Sequence, residues 1–257
     1  MTYVEKVKRH LGEYKEQQLG IKSSGCWNGV SYSHILPDAG GTKNILINPN
    51  CYKINKSLLT LEGHKRDIKL HQGWKHLNSS QILCVSYFYE YINCPQKLNE
   101  LLKYLGINES AKNGEFEYIV KSGDKSNIDF VINLTNGKKV YFEIKYTESE
   151  FGTTSKKTPD ETYCEIFKKH HSDIKISFEN YKKHYQLVRN ASLAGNGNYT
   201  VFLIPQKNET LISQLSDFEL CVDNYNQIKS NLRIVYWEDL LKNFPNNEIY
   251  KKYFDLK

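Results

Sequence analysis

The feature that most limits how this chain can fold is a succession of three alternating segments between residues 116 and 146. Phe116, Tyr118 and Val120 alternate with Glu117, Ile119 and Lys121; Ile128, Phe130, Ile132 and Leu134 alternate with Asp129, Val131 and Asn133; Val140, Phe142, Ile144 and Tyr146 alternate with Tyr141, Glu143 and Lys145. A period of two sends successive side chains to opposite faces of a strand, and Asn136-Gly137 marks a tight reversal. The pattern predicts an antiparallel meander. Its register is constrained as well, because a one-residue slip carries the whole apolar set to the wrong face. A plain two-residue turn at Asn136-Gly137 sets Asp129 opposite Ile144 and Phe130 opposite Glu143, mixing apolar and charged positions. Pairing Ile128 with Tyr146, Phe130 with Ile144, Ile132 with Phe142 and Leu134 with Val140 keeps one face apolar. That pairing requires a three-residue loop with a Gly137 bulge, or an equivalent bulge along the strands, and it puts Asp129 opposite Lys145 and diagonal to Glu143.

Helices flank the meander. Thr2 and Glu5 are spaced as a capping box ahead of Val4, Val7, Leu11 and Tyr14, and Gly20 supplies a stop, so a first amphipathic helix spans 2–19. Residues 22–75 are rich in Gly, Asn, Ser and Pro, with short strand-like pieces such as Ile45-Leu46-Ile47 and no sustained period. Small polar N-cap residues at 78–81 precede Ile82, Val85, Tyr89 and Ile92 at helical spacing, and Pro95 opens a helix with Leu98, Leu101, Leu102 and Leu105 on one stripe, closed by Gly106. Beyond the meander, 147–173 reads as a polar insertion and Phe178 to Ser192 as one long helix ended by Gly195 and Gly197. A buried strand at Thr200 to Ile204, a helix starting near Ile212, and a final strand from Leu232 into a helix at Glu238 to Lys242 complete the order. The expected architecture is α/β, a mixed sheet flanked by helices in α-β-β-β-α-β order, with 1–75 as a helix and loop-rich elaboration packed on a core of 76–257.

At 257 residues, 39% of them hydrophobic and 25% charged, the composition excludes long disorder, collagen-like repeats and coiled coil. No apolar run reaches the roughly 18 residues of a membrane helix, and a charged amphipathic stretch follows Met1 where a signal peptide has its apolar core; no membrane association and a cytoplasmic location are expected. Six cysteines without a C-x-x-C pair read as reduced, mostly buried thiols. The net charge of +6 permits a polyanionic partner without demanding one, since nearly all the cations are Lys in a chain also rich in Asn, Ile and Tyr, as an AT-rich genome produces. His170-His171, Cys164 and His184 lack zinc-site spacing, and Gly40-Gly41-Thr42-Lys43 lacks the spacing of a phosphate-binding loop.

The chemistry-bearing constellation is Asp129 followed by Glu143-Ile144-Lys145 on the next strand. Phosphodiester hydrolysis needs hard oxygen ligands for Mg²⁺ beside the phosphate and a cation or base to orient water; two carboxylates and a lysine meet that minimum. Asp129 with Glu143-Ile144-Lys145 in this element order resembles the PD-(D/E)XK nuclease superfamily, the restriction-endonuclease-like fold. His76-Leu77-Asn78-Ser79-Ser80-Gln81 and Tyr185-Gln186-Leu187-Val188-Arg189-Asn190 resemble segments of a bacterial restriction-endonuclease-like branch of it. The likeness covers about residues 76 to 204, and Ile128 stands where the family signature has proline.

The resemblance implies that Asp129 and Glu143 bind Mg²⁺, with Mn²⁺ able to substitute, and that Lys145 positions or activates water. It adds Glu117 as a further ligand and Gln186 as a group approaching from the following helix. Two close carboxylates repel, so one is expected to hold its proton more tightly without metal. Double-stranded DNA is the implied partner, gripped by Lys156, Lys157, Lys168, Lys169, Lys182 and Lys183, with Arg189 as the foremost single contact. The implied role is type II restriction in prokaryotic defence, with a methyltransferase encoded nearby and a homodimer for symmetric sites. Three other readings stay open: a solvated sheet face with a cross-strand ion pair, a repair or recombination nuclease, and a DNA-binding protein without cleavage.

Overall fold

Thr2 caps helix α1 (Tyr3–Leu19) through the reciprocal box with Glu5, and Gly20 ends it at a φ of 68°. The computed structural model describes residues 1–120, 127–155, 159–171 and 173–256. After α1 come a small hairpin, β1 (Gly25–Trp27) and β2 (Val30–Tyr32), and a three-stranded antiparallel sheet, β3 (Tyr52–Asn55), β4 (Leu58–Leu61) and β5 (Ile68–Lys69). Ile45-Leu46-Ile47 forms no strand, contrary to its strand-like composition; Ile45 and Ile47 are buried from an irregular stretch instead. Helices α2 (Ser80–Phe88) and α3 (Pro95–Tyr104) follow, with Ser79 as N-cap of the first and Pro95 in the opening turn of the second.

The main sheet comprises β6 (Ala111–Ile119), β7 (Asn127–Leu134), β8 (Lys139–Ile144), β9 (Tyr199–Ile204) and β10 (Leu232–Tyr236), in the spatial order β10-β9-β8-β7-β6. The first three strands form the antiparallel meander, while β8, β9 and β10 run parallel, so the sheet is mixed. Between β8 and β9 lie α4 (Asp160–His170), α5 (Phe178–Lys183) and α6 (Tyr185–Ala191); after β9 come α7 (Glu209–Cys221), α8 (Tyr225–Ile228) and, past β10, α9 (Trp237–Asn243). The 147–173 insertion thus carries a helix. Its first turn holds Asp160 and Glu161 and its last Lys168, Lys169 and His170, matching the helix dipole.

The register differs from expectation by two residues. Phe130 lies opposite Phe142, Ile132 opposite Val140 and Asn133 opposite Lys139. The face assignment survives for Phe130, Ile132, Leu134, Val140, Phe142, Ile144 and Tyr146, which share one cluster, because parity does not distinguish registers two apart. It is corrected for Ile128, Tyr118 and Val120, which gather with Val131 and Tyr141 beside the point where Glu117 breaks the alternation of β6. The reversal is a three-residue loop, Thr135 to Gly137, closed by Leu134 N–H to the Lys138 carbonyl at 2.9 Å, with Gly137 at a φ of 84°.

Each face of the sheet is covered. Phe130, Ile132, Val140, Phe142, Ile144, Val201 and Leu203 pack with α2 and α3 in one apolar cluster. Its aromatic centre stacks Phe88 on Phe130 with centroids 4.4 Å apart, and burying each such ring contributes about 1.5–3 kcal/mol. Val7, Leu11, Leu59 and Leu61 from the N-terminal third belong to the same cluster. The other face packs Phe202 and Ile204 against Tyr181, Leu187, Val188, Leu211 and Leu215. Of the six cysteines, all unpaired, only Cys84 is buried and Cys26 is exposed, so the expectation of mostly buried thiols is corrected; a thiol tolerates partial exposure where no oxidation partner is near. Among the described residues no helix is long and apolar enough to cross a membrane.

Candidate active site

The paired ladder between β7 and β8 ends at Phe130 and Phe142, whereas β8 stays paired with β9 as far as Ile144 and Leu203. The two strands part at this point, and the Asp129 side chain fills the opening: its Oδ2 accepts the Ile144 N–H at 2.7 Å. One further step along the register sets Asp129 opposite Glu143, and not opposite Lys145 as the sequence pattern implied. Glu143 and Lys145 lie two apart at the end of β8, on the face away from Phe142 and Ile144.

Glu143 is 3% exposed, and three donors meet its carboxylate. Lys145 Nζ lies 2.8 Å from Oε1, Gln186 Nε2 donates to Oε1 at 2.6 Å, and Asn190 Nδ2 donates to Oε2 at 2.6 Å. Lys145 also donates to Gln186 Oε1 at 3.1 Å, so the amide bridges the ion pair. Both amides come from α6, four residues apart and therefore on one helical face. Asn190 is itself anchored, its carbonyl accepting from Thr200 Oγ1 at 2.9 Å and its Oδ1 from Arg189 Nε at 3.0 Å.

The expected long helix over 178–192 is two helices. They break at His184, whose backbone leaves the helical region at φ −111° and ψ 28°. The backbone ladder is interrupted from outside: the Lys182 carbonyl accepts the Thr154 N–H at 3.1 Å and the Gln186 N–H turns to the Gly152 carbonyl at 3.3 Å, so the 152–154 segment replaces the bond between them. The buried His184 ring contacts Asp217 on α7. The break re-aims α6, bringing Gln186 and Asn190 onto Glu143.

Negative charge converges on the opening. Asp129 is pushed well above the usual carboxylate range, by burial first, then by Glu143, with Lys145 pulling the other way and Glu117 adding repulsion. One of two adjacent carboxylates thus holds its proton more tightly, as expected. Burial works against the charge on Lys145, yet Glu143, Glu148 and Asp129 together outweigh it and raise its pKa. The fully buried thiol of Cys84 on α2 is raised by burial and then by Asp129, Glu117 and Glu143 in turn. Asp129 and Glu143 are near enough to act on each other's charge, and carboxylate oxygens are the donors that suit a hard divalent cation.

Glu117 stands apart from this network. Its φ of 49° breaks the alternation of β6, and its carboxylate accepts from Gln81 Nε2 at 2.7 Å and Asn127 Nδ2 at 2.8 Å. It acts on Asp129 through its charge, without a bond to Glu143 or Lys145. Val120 lies outside the strand and Lys121 outside the described residues.

The cations assigned to polyanion binding are mostly engaged. Lys182 pairs with Asp160 at 3.1 Å and Glu179 at 3.2 Å, and Lys183 with Asp217 at 2.5 Å. Lys168 and Lys169 lie exposed in the last turn of α4. Arg189 is half-buried against Asn190. Lys156 and Lys157 lie outside the described residues.

Three site residues were missed or given other roles by sequence reasoning. Asn190 lies in the segment that resembles the family branch but was given no role of its own, although its four-residue spacing from Gln186 was available as a signal. Gln81, read among the N-cap residues at 78–81, holds Glu117. Glu148 carries no pattern, yet Ser80 Oγ donates to its Oε1 at 2.5 Å and the Tyr146 N–H to its Oε2 at 2.6 Å, tying α2 to the end of β8.

Residues 8–257 match the sequence family described as Restriction Endonuclease associating with ARP. No curated protein and no solved structure matches the chain.

Proposed function

Because this chain belongs to the family of restriction endonucleases associating with ARP, we propose that it hydrolyses DNA phosphodiester bonds at the Asp129, Glu143 and Lys145 site with Mg²⁺, on a PD-(D/E)XK core. The observation that carries the reading is Glu143: a carboxylate almost wholly withdrawn from water, held by Lys145, Gln186 and Asn190 and facing a second carboxylate across parted strands. Withdrawing the Glu143 carboxylate from water, beside a half-buried Asp129, costs several kcal/mol unless cations compensate, an arrangement that suits a ligand. Asp129 and Glu143 would hold the divalent ion, Mg²⁺ or Mn²⁺ in its stead. When bound, the ion supplies charge stabilisation for the phosphate in flight and lowers the pKa of water.

Lys145, its charge favoured by the surrounding carboxylates and its Nζ held by Glu143 and Gln186, would orient the attacking water and neutralise charge. Gln186 fixes the lysine by bridging it to Glu143, and Asn190 fixes the other oxygen of that carboxylate. Glu117 tunes the charge on Asp129 and offers a further oxygen. Arg189 and the lysines of α4 and α5 supply phosphate contacts, and binding weakens with salt. The biological reading is restriction of foreign DNA in defence, with cutting of symmetric sites by a homodimer.

Purified protein incubated with plasmid and phage DNA in Mg²⁺ tests this, beside EDTA and Lys145→Ala controls. Discrete fragments that need Mg²⁺ and vanish in the variant are expected; intact DNA in every lane, with binding retained, overturns the proposal in favour of a binding role.

A further inference from the structure

On the far side of α6 from Glu143, a second cluster gathers donors of another chemical kind. His184, at the break between α5 and α6, faces Asp217 and Cys221, which are four apart and share a face of α7. One ligand atom from each lies within 4.8 Å of the others. The imidazole Nε2 is 2.9 Å from Asp217 Oδ2, and His184 is 2% exposed. We propose that His184, Asp217 and Cys221 bind a thiophilic divalent cation of the Zn²⁺ class, which staples α7 to the start of α6.

The donors distinguish this site from the carboxylate cleft. Imidazole and thiolate select Zn²⁺ or its borderline relatives, whereas carboxylates alone suit Mg²⁺. Bond lengths of about 2.0–2.3 Å set tetrahedral ligand edges at roughly 3.5 Å, so the His184–Asp217 pair, 2.9 Å apart, opens slightly around an ion while the more distant donors, within 4.8 Å, draw in. Asp217 is 39% exposed, which leaves a path from solvent and room for water as fourth ligand. Lys183 occupies Asp217 at 2.5 Å with a side chain 60% exposed, so it can swing into solvent as the ion arrives. The Cys221 thiol gives up its proton to water on binding. The consequence for the neighbouring site is positional, because Gln186 follows His184 by two residues and holds Glu143. The inference stands whether or not the chain cuts DNA.

Chelator-treated full-length protein titrated with Co²⁺ in Mg²⁺ buffer tests it. One equivalent giving the visible bands of four-coordinate Co²⁺ and a thiolate charge-transfer band, both abolished by Zn²⁺, is expected. Asp129→Asn leaves these spectra unchanged. Cys221→Ala removes the charge-transfer band and weakens Zn²⁺ binding by about 100-fold or more, beyond the loss that follows changes outside the ligand shell. Lys183→Ala tightens binding. In the unmutated protein, Zn²⁺ shields Cys221 from iodoacetamide in peptide mapping. Absence of the thiolate band, or Cys221 alkylated equally with and without Zn²⁺, overturns the proposal.

Discussion

Three donors favour the charge on Glu143 and Asp129 opposes it, so single residues around it set whether that charge is tolerable. Asn190→Ala removes the donor to Oε2 and leaves a buried lone pair unmet, a loss of about 1–3 kcal/mol read from the urea midpoint. The cleavage rate in single turnover falls about 10- to 100-fold, as for groups that orient a metal-binding carboxylate. Asn190→Asp is worse than Ala on both measures, because it adds a like charge against a carboxylate with no water to screen it; a gentler effect from Asp would show that Asn190 is not bonded to Glu143. At this scale the alternating strands made Asp129, Glu143 and Lys145 legible, since the period of two puts charge on the face opposite the apolar one. Gln81 and Glu148 were not legible. Each acts through a partner more than thirty residues away, and no local pattern encodes such a meeting.

At the scale of elements, the meander owes its shape to two glycines that act for different reasons. Gly114 on β6 lies under Phe130, where a Cβ would come within 2.6 Å of the ring and 3.2 Å of the Ile92 backbone. Gly114→Ala therefore destabilises by overpacking, about 1–3 kcal/mol. At Gly137 a Cβ meets nothing within 4 Å, but φ is 84°, so Gly137→Ala costs about 1 kcal/mol of backbone strain alone. Urea denaturation separates them when each is combined with Phe130→Leu: the smaller side chain relieves the first and not the second. Element type was readable where period and cap agreed, as in α1, α2 and α3. The break at His184 was not readable, because apolar spacing continues through it and the backbone groups that interrupt its ladder belong to Gly152 and Thr154, far back in the chain.

Across the whole molecule, the N-terminal third and the sheet share one apolar cluster, and ionisable groups at their junction link stability to pH. His34 is 6% exposed, and burial, reinforced by Lys8, His76 and Lys15, lowers its pKa to about 4. A base held neutral in the fold contributes stability that is complete above its unfolded pKa of about 6.5 and is lost as pH falls towards 4. The slope is at most about 1.4 kcal/mol per pH unit for one proton. His34→Gln flattens that segment of a stability–pH curve measured by urea denaturation; an unchanged slope would assign the linkage to other groups. The amino-acid sequence by itself determined the capped helices α1 to α3, the strands of the main sheet, most of the apolar face of the meander and the charged trio on its other side, because period, caps and parity are properties of neighbours along the chain. The two-residue choice of register, the parting of β7 from β8, the turn of α6 towards Glu143 and the partners of Glu117 and Glu148 were decided by tertiary structure. Those depend on which distant surfaces pack and which buried polar groups find a donor, and a one-dimensional pattern carries no distance between them.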